Sequence, residues 1–339
     1  MYNSTCWYPY PQTNASVILT DYNVADVDCM LKLYQDIPWD GRLLISFKGN
    51  KQEGKDIITK AGFASQKWYY PIPNHHSPVE IYTDEYLPNV YMNHRYIPDN
   101  MDAHLYNIIK NETFVLQLGS YFVELIKSIN TPHCPVEYAA ITNYRKPQHQ
   151  FITTILNNGT VQKTNLQPEG YKNLQNLKIN HDVLASVDVN VLPLAWVGKQ
   201  LVMPRIIHPT LLEYWVKMKT NITFNEDEII RPFDAVVLNI NKTIPTGKCY
   251  WEMVPANCFY DVEKSECIFF DQEYCWDNID IEYAIARAIS VVIYDPIFVN
   301  NKNKWQLLEK LKARYGLIKE WSVYSQFINK TTNAIFKNP

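Results

Sequence analysis

The sequence predicts an α+β protein in three successive parts: an α/β-like portion over residues 1–134, a mainly antiparallel β region over 135–275, and C-terminal helices over 276–339 packed on it. Three observations lead there. Short apolar runs alternate with helix-period stretches at the start, tight-turn signals punctuate strand-like segments in the middle, and two helical apolar stripes close the chain. At 339 residues, 47% of them hydrophobic, the chain is long enough for two or three packed units, since single cores rarely grow past roughly 250–300 residues.

Along the first part, Ser16-Val-Ile-Leu-Thr is a short apolar run suited to a buried strand, and Asn23 can cap a helix carrying Val24, Val27, Leu31 and Tyr34 at helical spacing until Pro38. Leu43 to Lys48 reads as the next strand. Lys51 to Ala61 reads as a helix stopped by Gly62, with a strand near Gln66 to Tyr70 beyond it. Asp102 to Lys110 is expected to be helical, and Phe114 to Ile129 is read as helical despite its β-branched and aromatic content.

In the middle part, Gln150 to Leu156 and Thr160 to Thr164 flank Asn157-Asn158-Gly159, whose Asn-Gly step supplies the positive φ angles of a short hairpin loop. Further strands are expected at Val183–Val191, Leu194–Val197 with Leu201–Ile206, Ala235–Ile240, Cys249–Met253, Cys258–Val262 and Cys267–Phe270, with one helix at Thr210–Lys219. At the end, Ile281, Ile285, Ala288, Ile289 and Val292 form one helical stripe and Trp305, Leu308, Leu311 and Tyr315 another, before a last helix from Leu317 to Ile328.

The segment from Lys67 to Tyr106 stands apart. Trp68, Tyr69, Tyr70, Tyr82, Tyr86, Tyr91 and Tyr96 are interleaved with His75, His76 and His94, while Pro71, Pro73, Pro78, Pro88 and Pro98 forbid a continuous helix. So many rings must lie against something, either the rest of the chain or a partner. The sequence reading takes these ten aromatic and histidine residues as an interaction surface.

Only 20% of residues are charged and the formal net charge is −3, which argues against a surface dedicated to nucleic acid. Glycine is scarce, at 10 residues, and this weighs against loops that bring backbone close to a phosphate. The start of the chain has no basic segment followed by an apolar one, and no apolar run is long enough to span a membrane, so cytoplasmic synthesis without a membrane is expected. Seven cysteines then read as reduced thiols; Cys249, Cys258, Cys267 and Cys275 are spaced too widely for zinc knuckles. His75, His76, Glu80 and Asp84, with His94 and His104, supply ligand types without ligand spacing, and no metal or cofactor is expected.

The strand Leu43–Lys48 followed by Asn50 to Ala61 and Gly62-Phe63 resembles, over some twenty residues, the strand–helix–Gly-Phe–strand close of the GNAT acetyltransferases. Their acetyl-CoA pyrophosphate loop has no counterpart, because no glycine precedes Gly41, and no acetyltransferase residue is assigned. Asp26-Val-Asp28 and Asp188-Val-Asn190 read as exposed polar residues. No Gly-x-Ser-x-Gly elbow is present, and His133-Cys134 are neighbours whose side chains diverge in an extended segment. The resulting expectation is a structural or assembly component of a virus or phage particle, meeting other subunits, or copies of itself, through aromatic interfaces. The Asn-, Ile-, Tyr- and Lys-rich composition, typical of AT-rich genomes, points the same way. The alternatives are a transferase-type enzyme on the N-terminal α/β portion and a glycan-binding module.

Overall fold

The computed structural model describes residues 15–22, 27–89, 99–219, 226–294 and 304–336. Its class is the expected α+β, with helices accompanying a large, mostly antiparallel sheet. The chain divides into two compact units, Met1–Asn143 with Phe151–Gln162, and Tyr144–Gln150 with Lys163–Pro339.

The first unit contains β1 (Ala15–Tyr22), α1 (Val27–Asp36), β2 (Arg42–Lys48), α2 (Lys51–Lys60), β3 (Ser65–Ile72), β4 (Glu80–Thr83), α3 (Asp99–Lys110), α4 (Phe114–Gln117), β5 (Ser120–Ile126), β6 (Val136–Ile141) and β7 (Phe151–Leu156). Its strands lie in the order β1-β2-β5-β3-β4-β6-β7. The β1–β2 pair is parallel and those from β2 to β7 are antiparallel. Helix α2 begins where Asn50 Oδ1 accepts from the Gln52 and Glu53 amides, and it ends before Gly62 at φ +91°, as the letters predict.

The long helix expected from Phe114 to Ile129 is not formed. Helix stops at Gln117, Gly119 turns the chain at φ +71°, and Ser120–Ile126 becomes a strand buried at every position. Tyr121, Phe122 and Val123 are stiff or bulky at χ1 and fit a sheet flanked on both sides better than a helix. The core gathers Leu43, Ile45, Ile58, Trp68, Tyr70, Tyr82, Tyr121 and Val123.

The Asn-Gly hairpin is present: Gly159 takes φ +78° and leads from β7 into β8 (Thr160–Asn165), which runs on into the second unit. There follow α5 (Tyr171–Ser186), the hairpin β9 (Ala195–Val197) and β10 (Gln200–Pro204), α6 (Leu211–Lys219), α7 (Glu226–Lys242), β11 (Lys248–Tyr250), β12 (Cys258–Asp261), β13 (Glu266–Phe269), β14 (Cys275–Asp277), α8 (Glu282–Ile293), α9 (Lys304–Arg314) and α10 (Trp321–Ile335). Helix α6 starts on a capping box: the Glu213 amide donates to Thr210 Oγ1 at 3.2 Å and the Thr210 amide to Glu213 Oε2 at 2.8 Å.

Two expected strands are not strands. Val183–Val191 begins in the last turn of α5, which buries Leu174, Leu177, His181 and Leu184 on one face, and leaves it after Ser186 in a turn, with Val191 bridging to Phe269. Ala235–Ile240 lies inside α7, where Ile229, Phe233, Val236, Val237 and Ile240 are buried at helical spacing. A short apolar run cannot be told from a piece of buried helix by periodicity alone. The thiols of Cys134, Cys249, Cys258, Cys267 and Cys275 are free, all but Cys275 fully buried. Among the described residues no helix is long and apolar enough to cross a membrane.

Candidate functional site

In the second unit, two short antiparallel ladders frame a pair of loops. Tyr250 of β11 registers on Cys275 of β14, and Cys258 of β12 on Phe269 of β13. The loop 251–257 and the loop 270–274 therefore run beside one another and are tied at three points. The Trp251 amide donates to Tyr274 O at 3.0 Å, Gln272 Nε2 donates to Glu252 O at 2.8 Å, and the Phe270 amide donates to Asn257 O at 3.0 Å. These contacts bring Glu252 and Asn257 of one loop against Asp271 and Glu273 of the other.

Helix α5 holds the second loop from below. Asn180 Nδ2 donates to the carbonyls of Gln272 and Glu273 at 2.9 and 3.3 Å. His181 Nε2 accepts from the Gln272 amide at 3.4 Å while its Nδ1 donates to Leu192 O at 3.1 Å, so the ring is neutral with its proton on Nδ1, and burial lowers its basicity. Asp271 sits in the left-handed region at φ +60°. Asp and Asn visit that region more readily than most residues, and such positions gather at functional sites.

Charge is concentrated here and buried. Lys163, on β8, bonds both Asp271 and Glu273, and Arg145 Nη1 lies 3.0 Å from Glu273 Oε2. Lys163 is 3% exposed and Glu273 2%, so each charge depends on its partners. Burial alone would discharge Lys163, but Asp271 and Glu273 outweigh it and hold the ammonium above its ordinary value. Burial likewise works against the Asp271 carboxylate and is overcome by Lys163, which keeps it below the usual range. Glu273 is raised by burial. Glu252 is pushed up to about 8 by burial and by repulsion from Glu273 and Asp271. The group thus contains one carboxyl poised near neutrality beside a carboxylate locked in its charged form, the separation that acid–base chemistry uses.

The expected interaction surface lies elsewhere, in the first unit. Trp68, Tyr69, Tyr70, Tyr82 and His75 are buried, Tyr86 is half-buried with its ring centroid 4.8 Å from that of Tyr138, and His76 is exposed. Tyr91, His94 and Tyr96 lie outside the described residues. Several of the polar tips are satisfied within the unit. Tyr70 Oη bonds Asp84 and Lys51, Tyr69 Oη donates to Glu124 Oε2 at 3.1 Å, and His75 Nδ1 meets Ser120 Oγ at 2.6 Å. Tyrosines of this kind add an apolar body to a core and a hydroxyl to its polar bonds.

No protein-family model and no curated protein matches the sequence. Among solved structures the chain is similar to the aminoglycoside phosphotransferase APH(2'')-Ib bound to ADP, with 8% identity and a TM-score of 0.28 over 53% of this chain and 88% of that one. The expectation of a structural or assembly component of a particle is corrected. It rested on rings that turn out to be largely core residues.

Lys163, Glu252, Asn257 and Asp271 carry no part of the sequence reading above. The signal was available as spacing: a carboxyl residue five positions before an asparagine, Glu252 to Asn257, then a hairpin, then Asp271. Four cysteines share that stretch with these acidic residues, and their spacing is the more conspicuous pattern in the letters.

Proposed function

We propose that the second unit is a phosphotransferase acting on an acceptor hydroxyl with a nucleoside triphosphate as donor. One observation carries the reading: a strand lysine, a carboxyl–x4–asparagine loop and a following aspartate converge on one site in the chain order that protein kinases use, in Lys163, Glu252, Asn257 and Asp271. A glutamate stands where the kinase catalytic loop has aspartate, and Tyr250 where it has histidine.

Hard oxygen donors suit Mg²⁺, and the chemistry of this donor set fits. Asp271 is held as a carboxylate with its side chain 28% exposed, Asn257 is clasped beside it, and the buried Gln272 Oε1 has no hydrogen-bond partner among the described residues. Asn257 and Asp271 would hold the ion, which when bound neutralises charge on the transferring phosphoryl group. Lys163 is the cation available to donor phosphates, which compete with Asp271 and Glu273 for its ammonium protons. Glu252, as carboxylate, accepts the proton of the attacking hydroxyl. Arg145 partly offsets the upward push of burial on Glu273 and holds it in place, and α5 fixes the loop that carries Asp271.

The experiment is thermal unfolding with ATP or ADP and Mg²⁺, followed by ATP turnover over a panel of hydroxyl acceptors. A ligand at a hundred times its Kd adds about 2.7 kcal/mol, a shift of several degrees. The shift is expected to vanish in Asp271→Asn. With an acceptor found, kcat/KM should rise with pH towards about 8 as Glu252 ionises. Absence of any nucleotide-dependent shift, together with wild-type behaviour of Asp271→Asn, would remove the proposal.

A further inference from the structure

In the first unit, two residues on one face of β3, Ser65 and Lys67, hold a neighbouring arm, residues 132–136, and a third on that face, Tyr69, reaches Glu124 of β5. Ser65 Oγ lies 2.8 Å from His133 Nε2, Lys67 Nζ donates to the carbonyls of Cys134 and Val136 at 2.9 Å each, and Tyr69 Oη reaches Glu124 Oε2 at 3.1 Å. Alternation along a strand puts residues two apart on the same face, so this sheet face presents a serine, a lysine and a tyrosine in line. Glu124, on β5 opposite Lys67, completes the group: its Oε2 is 3.2 Å from His133 Nδ1, and it also accepts from the Cys134 amide at 3.0 Å. The approach of Glu124 to Nδ1 lies off the line of an ideal hydrogen bond, a looseness common in sites without substrate.

We propose that Ser65, His133 and Glu124 form an acyl-transfer site that hydrolyses small esters, an activity separate from phosphoryl transfer. The order of contacts is that of a nucleophile, a base and the carboxylate that orients it, and such constellations are recognised by geometry and not by position in a chain. Burial works against the charge on Glu124, but His133, the Cys134 amide and Tyr69 outweigh it and keep the carboxyl below its ordinary range. The negative charge at Nδ1 fixes the imidazole proton there, which leaves Nε2 as the acceptor for the Ser65 hydroxyl. Glu124, with a side chain 2% exposed, touches no substrate and is a positioning residue.

A cavity of about 270 Å³ opens beside His133, lined also by Lys67, Pro132, Cys134 and Asn157, and Ser65 adjoins it through its contact with the His133 ring. Its volume is just below the roughly 300–1,000 Å³ of drug-sized sites, which suits short acyl chains. Lys67 is engaged by backbone carbonyls and by Glu85 at 3.9 Å. Asp84 is in turn paired with Lys51 at 3.3 Å, so the charges at the cavity rim are matched in pairs.

In the reaction, Ser65 Oγ forms a bond to the ester carbonyl carbon as its proton passes to His133 Nε2. That proton then goes to the leaving alcohol oxygen as the ester C–O bond breaks. Water, deprotonated by His133, attacks the acyl-serine, releasing the carboxylic acid and restoring the Ser65 hydroxyl.

The test is covalent labelling of the full chain with a fluorophosphonate, located by peptide mass spectrometry, alongside hydrolysis of p-nitrophenyl acetate. The adduct is expected on Ser65, absent in Ser65→Ala, and formed about 10²–10⁴-fold more slowly in His133→Ala. Ser65 is partly exposed, so its replacement leaves the fold intact. A downfield His133 Nδ1–H proton signal should be present in the wild type and missing in Glu124→Gln, a change that a purely structural role would not produce. As a second variant, Ser65→Cys should be alkylated by iodoacetamide faster than Ser65→Cys/His133→Ala. An adduct on other serines, or none where a serine esterase is labelled, overturns the proposal, and so does equal alkylation of the two cysteine variants. None of these readouts involves nucleotide, so they stand apart from the test of phosphoryl transfer.

Discussion

Replacing Lys163 with methionine isolates the energetics of the buried charge group. In the wild type Lys163 bonds both Asp271 and Glu273, and Arg145 reaches Glu273 at 3.0 Å. Methionine fills a similar volume but leaves two buried carboxyl groups sharing one cation. Removing one partner of a buried pair costs about 3–5 kcal/mol. For a unit of this size about 1 kcal/mol moves the midpoint by roughly 2–4 °C, so the loss should reach about 6–20 °C at neutral pH. The deficit has a pH signature. Glu273 already has a raised pKa from burial, and without Lys163 it rises further, so its folded-state value lies above the unfolded one. The folded state then binds the extra proton as pH falls, and the penalty shrinks on acidification. Lys163→Met/Glu273→Gln, which removes both charges, should recover more than half of the loss, since the two sites are in contact and couple. Calorimetry and urea titration from acid to neutral pH measure all of this. A Lys163→Met deficit under about 1 kcal/mol, within the range of ordinary surface changes, or one that grows as pH falls, refutes the account.

Trp68→Ala should cost about 3–5 kcal/mol in urea unfolding, because Trp68 is 2% exposed, whereas His76→Ala at the surface should stay within about 0.5 kcal/mol. The contrast tests whether the aromatic segment is core. Gly62→Ala should destabilise by about 1–2 kcal/mol through its φ of +91° and not through crowding, since an added Cβ would come no nearer than 3.9 Å to Tyr34. Glu124→Gln should flatten the acid limb of the stability–pH curve. The wild-type carboxyl is held below its ordinary value, so its contribution is full above the unfolded pKa and is lost as pH falls through the folded one. Burial pushes the Cys249 thiol up to about 12, so under native conditions it should resist alkylation that Cys275, half-buried, undergoes faster.

Much of the local structure could be read from short-range chemistry. The Asn158-Gly159 hairpin, the stop at Gly62 and the T-x-x-E start at Thr210 each rest on a few adjacent residues, where φ preferences and capping bonds act without tertiary help. The C-terminal helices were legible because their apolar residues recur at helical spacing: α9 buries Leu307, Leu308 and Leu311 on one face, whereas α8 is buried on nearly every side from Ala284 to Ile293. Short apolar runs failed for the opposite reason. Ala235–Ile240 has strand-like letters, and its helical state depends on Ile229 and Phe233 joining the same buried face one and two turns earlier. Ser120–Ile126 became a strand because β2 and β3 flank it on both sides.

The amino-acid sequence by itself determined the α+β class, the turns, many of the helix ends and the abundance of rings that had to be covered. Only the tertiary structure decided what covers them and where charges meet. Ser65 and His133 are 68 positions apart and Lys163 and Asp271 108 apart, separations over which no local preference operates. Strand pairing and loop clasping bring these groups together, and burial then makes their proton affinities depend on one another.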